Sequence, residues 1–127
     1  MTITLQPGEL ICSSELNNLL QENESNRFIL QYEQKDGKFY PILQIVNDDQ
    51  GCRITKKGQI KVGKKNTFLL SQIGIEFSVI IRSNDLYELL PIKQATPEEL
   101  DTFKLPDLTL EILDDTNYNI EYLPFKL

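Results

Sequence analysis

The chain has 127 residues, 40% apolar and 25% charged, with a net charge of −6 and no histidine. That length and balance fit one domain with a core of its own and exclude wholesale disorder. The negative charge argues against general affinity for nucleic acid or anionic lipid, and the lack of histidine removes the commonest general base, the Ser/His and Cys/His dyads and most catalytic zinc sites.

Residues 2–6 alternate Ile3 and Leu5 with polar neighbours and predict a short opening strand stopped by Pro7 and Gly8, with Leu10 and Ile11 beginning a second. Ser13 and Ser14 are both suitable N-caps, and Glu15 follows where a carboxylate suits the helix dipole. Leu16, Leu19 and Leu20 then form one apolar stripe on a helix of two to three turns, ending in the polar run 22–26. Such a helix is expected to cap one opening of a sheet or barrel.

Asp36 and Gly37 carry the strongest hairpin signal in the chain. With those two residues as the loop, Phe28 faces Ile45, Leu30 faces Leu43 and Tyr32 faces Pro41, which puts three apolar pairs on one face. The other face pairs Ile29 with Gln44, Gln31 with Ile42 and Glu33 with Tyr40, the mixed surface of a sheet side that meets solvent. Residues 47–51 read as a polar turn without the ligand spacing of a calcium loop.

Residues 52–55 and 59–62 predict a short hairpin around Lys56, Lys57 and Gly58, with 63–66 turning into the most apolar part of the chain, 67–92. Arg53, Lys56, Lys57, Lys61, Lys64 and Lys65 concentrate the basic charge here. Residues 1–49 sum to −5, 50–74 to +6 and 75–127 to −7.

In the apolar part, residues 67–71 read as a short strand and Gly74 as a bulge or bend. Ile75, Phe77, Val79 and Ile81 alternate as the buried face of a central strand, and Ile80 suggests partial cover on its second face as well. Asn84 and Asp85 suit a tight turn into a strand over 86–90. A two-residue loop sets Val79 opposite Leu90 and a three-residue loop sets it opposite Leu89; the pattern allows both. Pro91, lacking an amide donor, ends that strand or lies at an edge. Together the segments predict a three-stranded meander.

Thr96, Pro97 and Glu99 have the form of a capping box for a short helix that buries Leu100 and Phe103 and stops before Pro106. Residues 108–112 and 119–123 predict two closing strands. The expected fold is therefore α+β, mainly β: a single domain of antiparallel strands, residues 1–127, curled into a barrel or sandwich with two short helices.

Cys12 and Cys52 lack metal-site spacing and read as free, partly buried thiols. The start, MTITLQPGEL, has no basic region followed by an apolar run, and no segment approaches the roughly 20 apolar residues of a membrane span, so no membrane association and a cytoplasmic location are expected. No phosphate-cradling glycine motif occurs, and the acidic doublets Asp48/Asp49, Glu98/Glu99 and Asp114/Asp115 sit where turns and helix starts want carboxylates. A carboxylate pair acting as in a glycosidase has no signature here, and no cofactor is indicated.

The remaining feature is the basic stretch. Lysines there serve as solvated guards of an edge strand, as a docking surface for an acidic protein, or as a nucleic-acid or phosphate site. Aromatic residues are absent from 51–67, so stacking partners for single-stranded nucleic acid are missing. The expectation is a non-enzymatic, intracellular protein-binding domain (an adaptor, inhibitor, immunity or chaperone-like module) using Arg53, Lys56, Lys57, Lys61, Lys64 and Lys65. Nucleic-acid or phosphate-ligand binding through the basic hairpin 53–65 is the alternative.

Overall fold

A computed structural model describes residues 1–25, 27–46 and 51–104. The expected turn at 47–50, the strands over 108–112 and 119–123, and the doublets Asp48/Asp49 and Asp114/Asp115 lie outside the described residues.

Eight strands among the described residues form one antiparallel sheet: β1 (Thr2–Gln6), β2 (Glu9–Cys12), β3 (Arg27–Lys35), β4 (Lys38–Ile45), β5 (Cys52–Arg53), β6 (Gln59–Lys61), β7 (Glu76–Ser83) and β8 (Leu86–Lys93). Their order is β5-β3-β4-β8-β7-β1-β2-β6. The two end strands meet. Ile54, just past β5, bridges Ile60 of β6, and Thr55 N donates to Gln59 O at 2.8 Å. The sheet therefore curls into a nearly closed barrel, and the open choice between barrel and sandwich resolves to the barrel.

The β3–β4 hairpin has the expected register in all six pairs, including Leu30 opposite Leu43 and Gln31 opposite Ile42. Asp36 and Gly37 both take positive φ, +52° and +75°, the geometry a two-residue hairpin loop requires. Phe28, Leu30 and Leu43 face the core. Ile42, on the outer face, departs from the solvated surface expected there: it is only 6% exposed. The cover is ionic. Arg82 of β7 places Nε 2.7 Å from Glu88 of β8 and an amino nitrogen 2.6 Å from Glu33 of β3, so the guanidinium spans β4, the strand between them.

The β7–β8 hairpin uses both registers that the sequence allows. Ser83 pairs with Leu86 around a two-residue turn, and a bulge at Arg82 then shifts the ladder so that Val79 lies opposite Leu89. β7 is a central strand between β8 and β1. Its outer face lacks the expected cover, since Ile80 is 42% exposed, and Ile81 lies at the barrel end, 46% exposed, rather than in the core. β8 continues past Pro91 to Lys93, but β4 pairs with it only at Leu86, Tyr87 and Glu88. Asp85 O accepts from Ile45 N, so by alternation Pro91 points its missing donor toward the side that β4 has left.

Helix α1 (Ser14–Glu22) is capped by Ser13, whose hydroxyl accepts from Leu16 N at 3.4 Å and from Thr2 N at 3.1 Å. Leu16 and Leu20 enter the barrel and meet Ile3, Phe28, Leu43, Ile60, Val79 and Tyr87, residues from six different strands. What remains between them is too small for a water molecule. The barrel interior is a packed core, not a ligand cup. The helix ends in a Schellman motif, with Ser25 N donating to Leu20 O (2.9 Å) and Glu24 N to Gln21 O (3.2 Å). Glu24 occupies the left-handed position, φ +55°, that glycine usually takes.

The expected strand over 67–71 and turn over 63–66 are overturned: α2 (Lys64–Ser71) is a helix, and the three-stranded meander reduces to the β7–β8 hairpin. Gly63 starts it at φ +88°. Asn66, Thr67, Leu70 and Ser71 face inward at helical spacing. Three of them are polar and bond locally: Asn66 Nδ2 donates to Val62 O, Thr67 Oγ1 to Lys64 O and Ser71 Oγ to Phe68 O, while Asn66 Oδ1 stays buried without a hydrogen-bond partner among the described residues. The β1–β2 turn pins the helix start, because Gly8 N donates to Thr67 Oγ1 and Gly8 O accepts from Val62 N and Gly63 N. α2 thus sits at the Gln6–Glu9 end of the barrel, opposite α1. A third helix, α3 (Pro97–Thr102), has the expected capping box between Thr96 and Glu99; Phe103 is buried and Leu100 half-buried.

Candidate functional site

The six basic residues do not form one surface. Arg53 lies exposed on β5, and Lys56 and Lys57 are exposed on the turn into β6, at the α1 end of the barrel. Lys61, on β6, stands 3.9 Å from Glu9 of β2 and is partly neutralised by it. Lys64 and Lys65 belong to the first turn of α2, at the opposite end. From Gly58 to Gly63 the chain rises about 3.3 Å per residue, so the two lysine pairs stand roughly 16 Å apart. That is about twice the screening length at physiological salt, and their fields do not add.

The Lys56–Lys57 turn is seated firmly. Gly58 N donates to Thr55 O at 3.0 Å, Thr55 Oγ1 accepts from Gln59 N, and Asn17 Nδ2 on α1 donates to Lys56 O at 3.2 Å. Gly58 sits at φ +82° with its α-carbon against Asn17, and an added Cβ would lie 2.9 Å from Asn17 Cγ. Only glycine fits that position without displacing Asn17. Among the described residues Arg53, Lys56 and Lys57 take part in no ion pair. Three basic groups are therefore held on a fixed backbone with their charges unspent.

The thiols are buried and free. Burial pushes Cys12 up to about 12, leaving almost no thiolate at neutral pH. Tyr32 and Tyr87 are likewise raised by desolvation. Arg82 is raised by its hydrogen bonds to Glu88 and Glu33. Among the described residues no group of three or more Cys, Asp or Glu side chains converges as a metal site, and no helix is long and apolar enough to cross a membrane. Glu98 and Glu99 lie in the first turn of α3, as a capping role requires.

Sequence reasoning missed the Arg82 bridge, whose partners are 49 and 6 residues away in the chain. No local pattern announces it. It also missed the division of the lysines, which follows from the span of β6 between the two pairs.

Among the described residues these features define a nearly closed barrel of eight antiparallel strands with a helix at each end and a preorganised basic turn beside one of them. Comparison with known proteins finds no matching family model, no matching curated protein and no matching solved structure.

Proposed function

We propose that this is a non-enzymatic protein-binding domain of the cell interior, and that Lys56 and Lys57, with Arg53 on the strand before them, receive an acidic surface of its partner. One observation carries the reading: two unpaired lysines stand on a turn that Asn17 and Gly58 hold rigid, next to a strand that carries the equally unpaired Arg53. A fixed backbone lowers the ordering cost of association, and like charges gathered on it steer an acidic partner. Solvated guard lysines need no such seat. Nucleic acid or a phosphate ligand is the less favoured occupant, because Lys61 is paired with Glu9 and the remaining lysines divide between two ends.

The test compares two charge-reversal variants, Lys56→Glu/Lys57→Glu and Lys64→Glu/Lys65→Glu, each first shown to be folded by circular dichroism. An acidic protein retained by the wild type from nuclease-treated lysate, lost with the first variant and kept with the second, is the expected result. Retention by both variants refutes the reading. Loss of all bound material on nuclease treatment of the wild-type sample replaces it with the nucleic-acid reading.

A further inference from the structure

The α1 end of the barrel carries a second feature, independent of the lysine turn. Between the end of α1 and the β7–β8 turn runs an open groove of about 660 Å³. Leu19, Ile45, Ile81 and Tyr87 give it an apolar floor, and Glu24 and Asp85 stand exposed on its margins. Among the described residues no basic side chain lines it. The volume lies within the usual range for ligand sites, and the groove is half open to solvent, so a chain segment can reach it.

Three observations converge on the charge of the occupant. Glu24 and Asp85 have no ion-pair partner among the described residues; Asp85 is held by Ser83 Oγ, which donates to its carboxylate at 2.8 Å. The last turn of α1 contributes the negative end of the helix dipole, with no basic residue in that turn to offset it. Tyr87 is 3% exposed, yet its hydroxyl makes no hydrogen bond to any described group. Its ring packs edge-on against Phe28 with centroids 5.9 Å apart, and the residue lines both the interior and the groove, so the polar tip is the part offered to the groove. With no partner among the described residues, the hydroxyl is free to accept from a group that enters the groove.

We infer that this groove docks a basic segment of a protein partner. An arginine or lysine lays its aliphatic stem on Leu19, Ile45 and Ile81 and brings its cationic head between Glu24 and Asp85, where Tyr87 accepts one of its N–H bonds. The stem accounts for the exposed Ile81, and the head for the carboxylates and the hydroxyl. The inference does not depend on the lysine turn, and its test leaves that turn intact.

The probe is a fluorescein-labelled peptide of six arginines, titrated by anisotropy at low salt, with backbone amide shifts mapping its footprint. Expected are shifts confined to 19–25, 45 and 81–87, and about tenfold weaker binding to Glu24→Gln/Asp85→Asn, from two solvent-bordered ion pairs. Tyr87→Phe, which keeps the ring and the packing, weakens binding by about threefold, the share of one hydrogen bond. The control Glu98→Gln/Asp101→Asn removes the same charge from exposed positions on α3 and changes affinity by less than about twofold. The proposal is overturned by a control loss equal to that of the groove variant, or by shifts mapping elsewhere. It is also overturned if free arginine amide competes as strongly as the peptide, which makes the groove a small-cation site.

Discussion

Replacing Gly58 by alanine tests the seat of the lysine turn without touching a charge. At φ +82° an alanine pays the left-handed penalty of about 1–2 kcal/mol. Its Cβ, built 2.9 Å from Asn17 Cγ and 3.1 Å from Asn17 Cβ, also drives that side chain away and breaks its bond to Lys56 O. An exposed hydrogen bond of that kind contributes about 0.5–1.5 kcal/mol. The less flexible unfolded chain returns about 0.4–1 kcal/mol. The net loss is about 2 kcal/mol, a Tm decrease of roughly 5–10 °C for a domain of this size. Urea denaturation of four proteins, wild type, Gly58→Ala, Asn17→Ala and the double variant, separates the terms. In the Asn17→Ala background only the backbone penalty remains, about 1 kcal/mol. Equal costs in both backgrounds refute the Asn17 contact, and a cost below about 0.5 kcal/mol refutes the backbone geometry. Because the turn loses its anchor while keeping its lysines, the variant also binds an acidic partner more weakly.

Leu20→Ala removes a side chain 1% exposed from the barrel interior, where no neighbouring void can absorb the change, and costs about 3–4 kcal/mol by denaturant titration; Leu19→Ala, at the half-buried groove position, costs less than half of that. Cys12 has a folded pKa of about 12 against 9.0 for the unconstrained thiol, so the folded protein holds its proton where the unfolded chain releases it. Stability is accordingly flat below pH 9.0 and falls as the pH rises from there toward 12, with a slope approaching about 1.4 kcal/mol per pH unit. Cys12→Ala flattens the fall, leaving a residue from Tyr32 and Tyr87, whose raised pKa values act in the same direction; an unchanged slope refutes the assignment. Arg82→Met removes the cation between Glu33 and Glu88 and lowers stability at low ionic strength, with the difference from wild type shrinking in 1 M salt at about 3 Å screening length.

The β3–β4 register was readable because two independent signals agreed: the Asp36–Gly37 loop sets which residues face each other, and the alternation of Phe28, Leu30 and Tyr32 demands the same pairing. The β7–β8 register was ambiguous because the chain adopts both solutions, with the bulge at Arg82 converting one into the other. A bulge leaves no dependable trace in composition. α2 was misread for a different reason. Its buried face is built from Leu70 and three polar residues, Asn66, Thr67 and Ser71, whose side chains bond to backbone within or just before the helix, while Phe68 and Leu69 remain only half-buried. The hydrophobic pattern there points away from the face that packs. The division of the lysines has a separate cause: β6, between the two pairs, carries Lys64 and Lys65 to the far end of the barrel from Lys56 and Lys57. The groove was silent in sequence because Glu24, Ser83 and Asp85 are ordinary loop residues until the fold brings their loops together.

With its interior filled by Leu16 and Leu20, the barrel offers only its outside to the partner proposed above, and the charges around α1 are informative about which part. Anions near a helix start and cations near its end stabilise a helix, each by about 0.3–1 kcal/mol. Glu15 obeys the rule, and pairs with the amino terminus at 3.6 Å. Most of the other nearby charges do not. The Lys56 backbone lies against Asn17 in the first half of the helix, Glu22 sits at its carboxyl end, and Glu24, just past that end, lines the groove together with Asp85. Each of these placements opposes the helix field rather than complementing it, so the stability of α1 does not account for them. They are what a partner with an acidic and a basic element would require, spaced by the roughly 10 Å that seven helical residues rise, because such a partner neutralises both ends at once. The two clusters are farther apart than the physiological screening length of about 8 Å, so each contributes independently and loss of one leaves the other's contribution intact. A partner that engages both loses affinity additively in the combined variant Lys56→Glu/Lys57→Glu/Glu24→Gln/Asp85→Asn. A partner that loses no more to the combined variant than to one pair alone uses a single cluster, and the charge pattern of α1 then needs another cause.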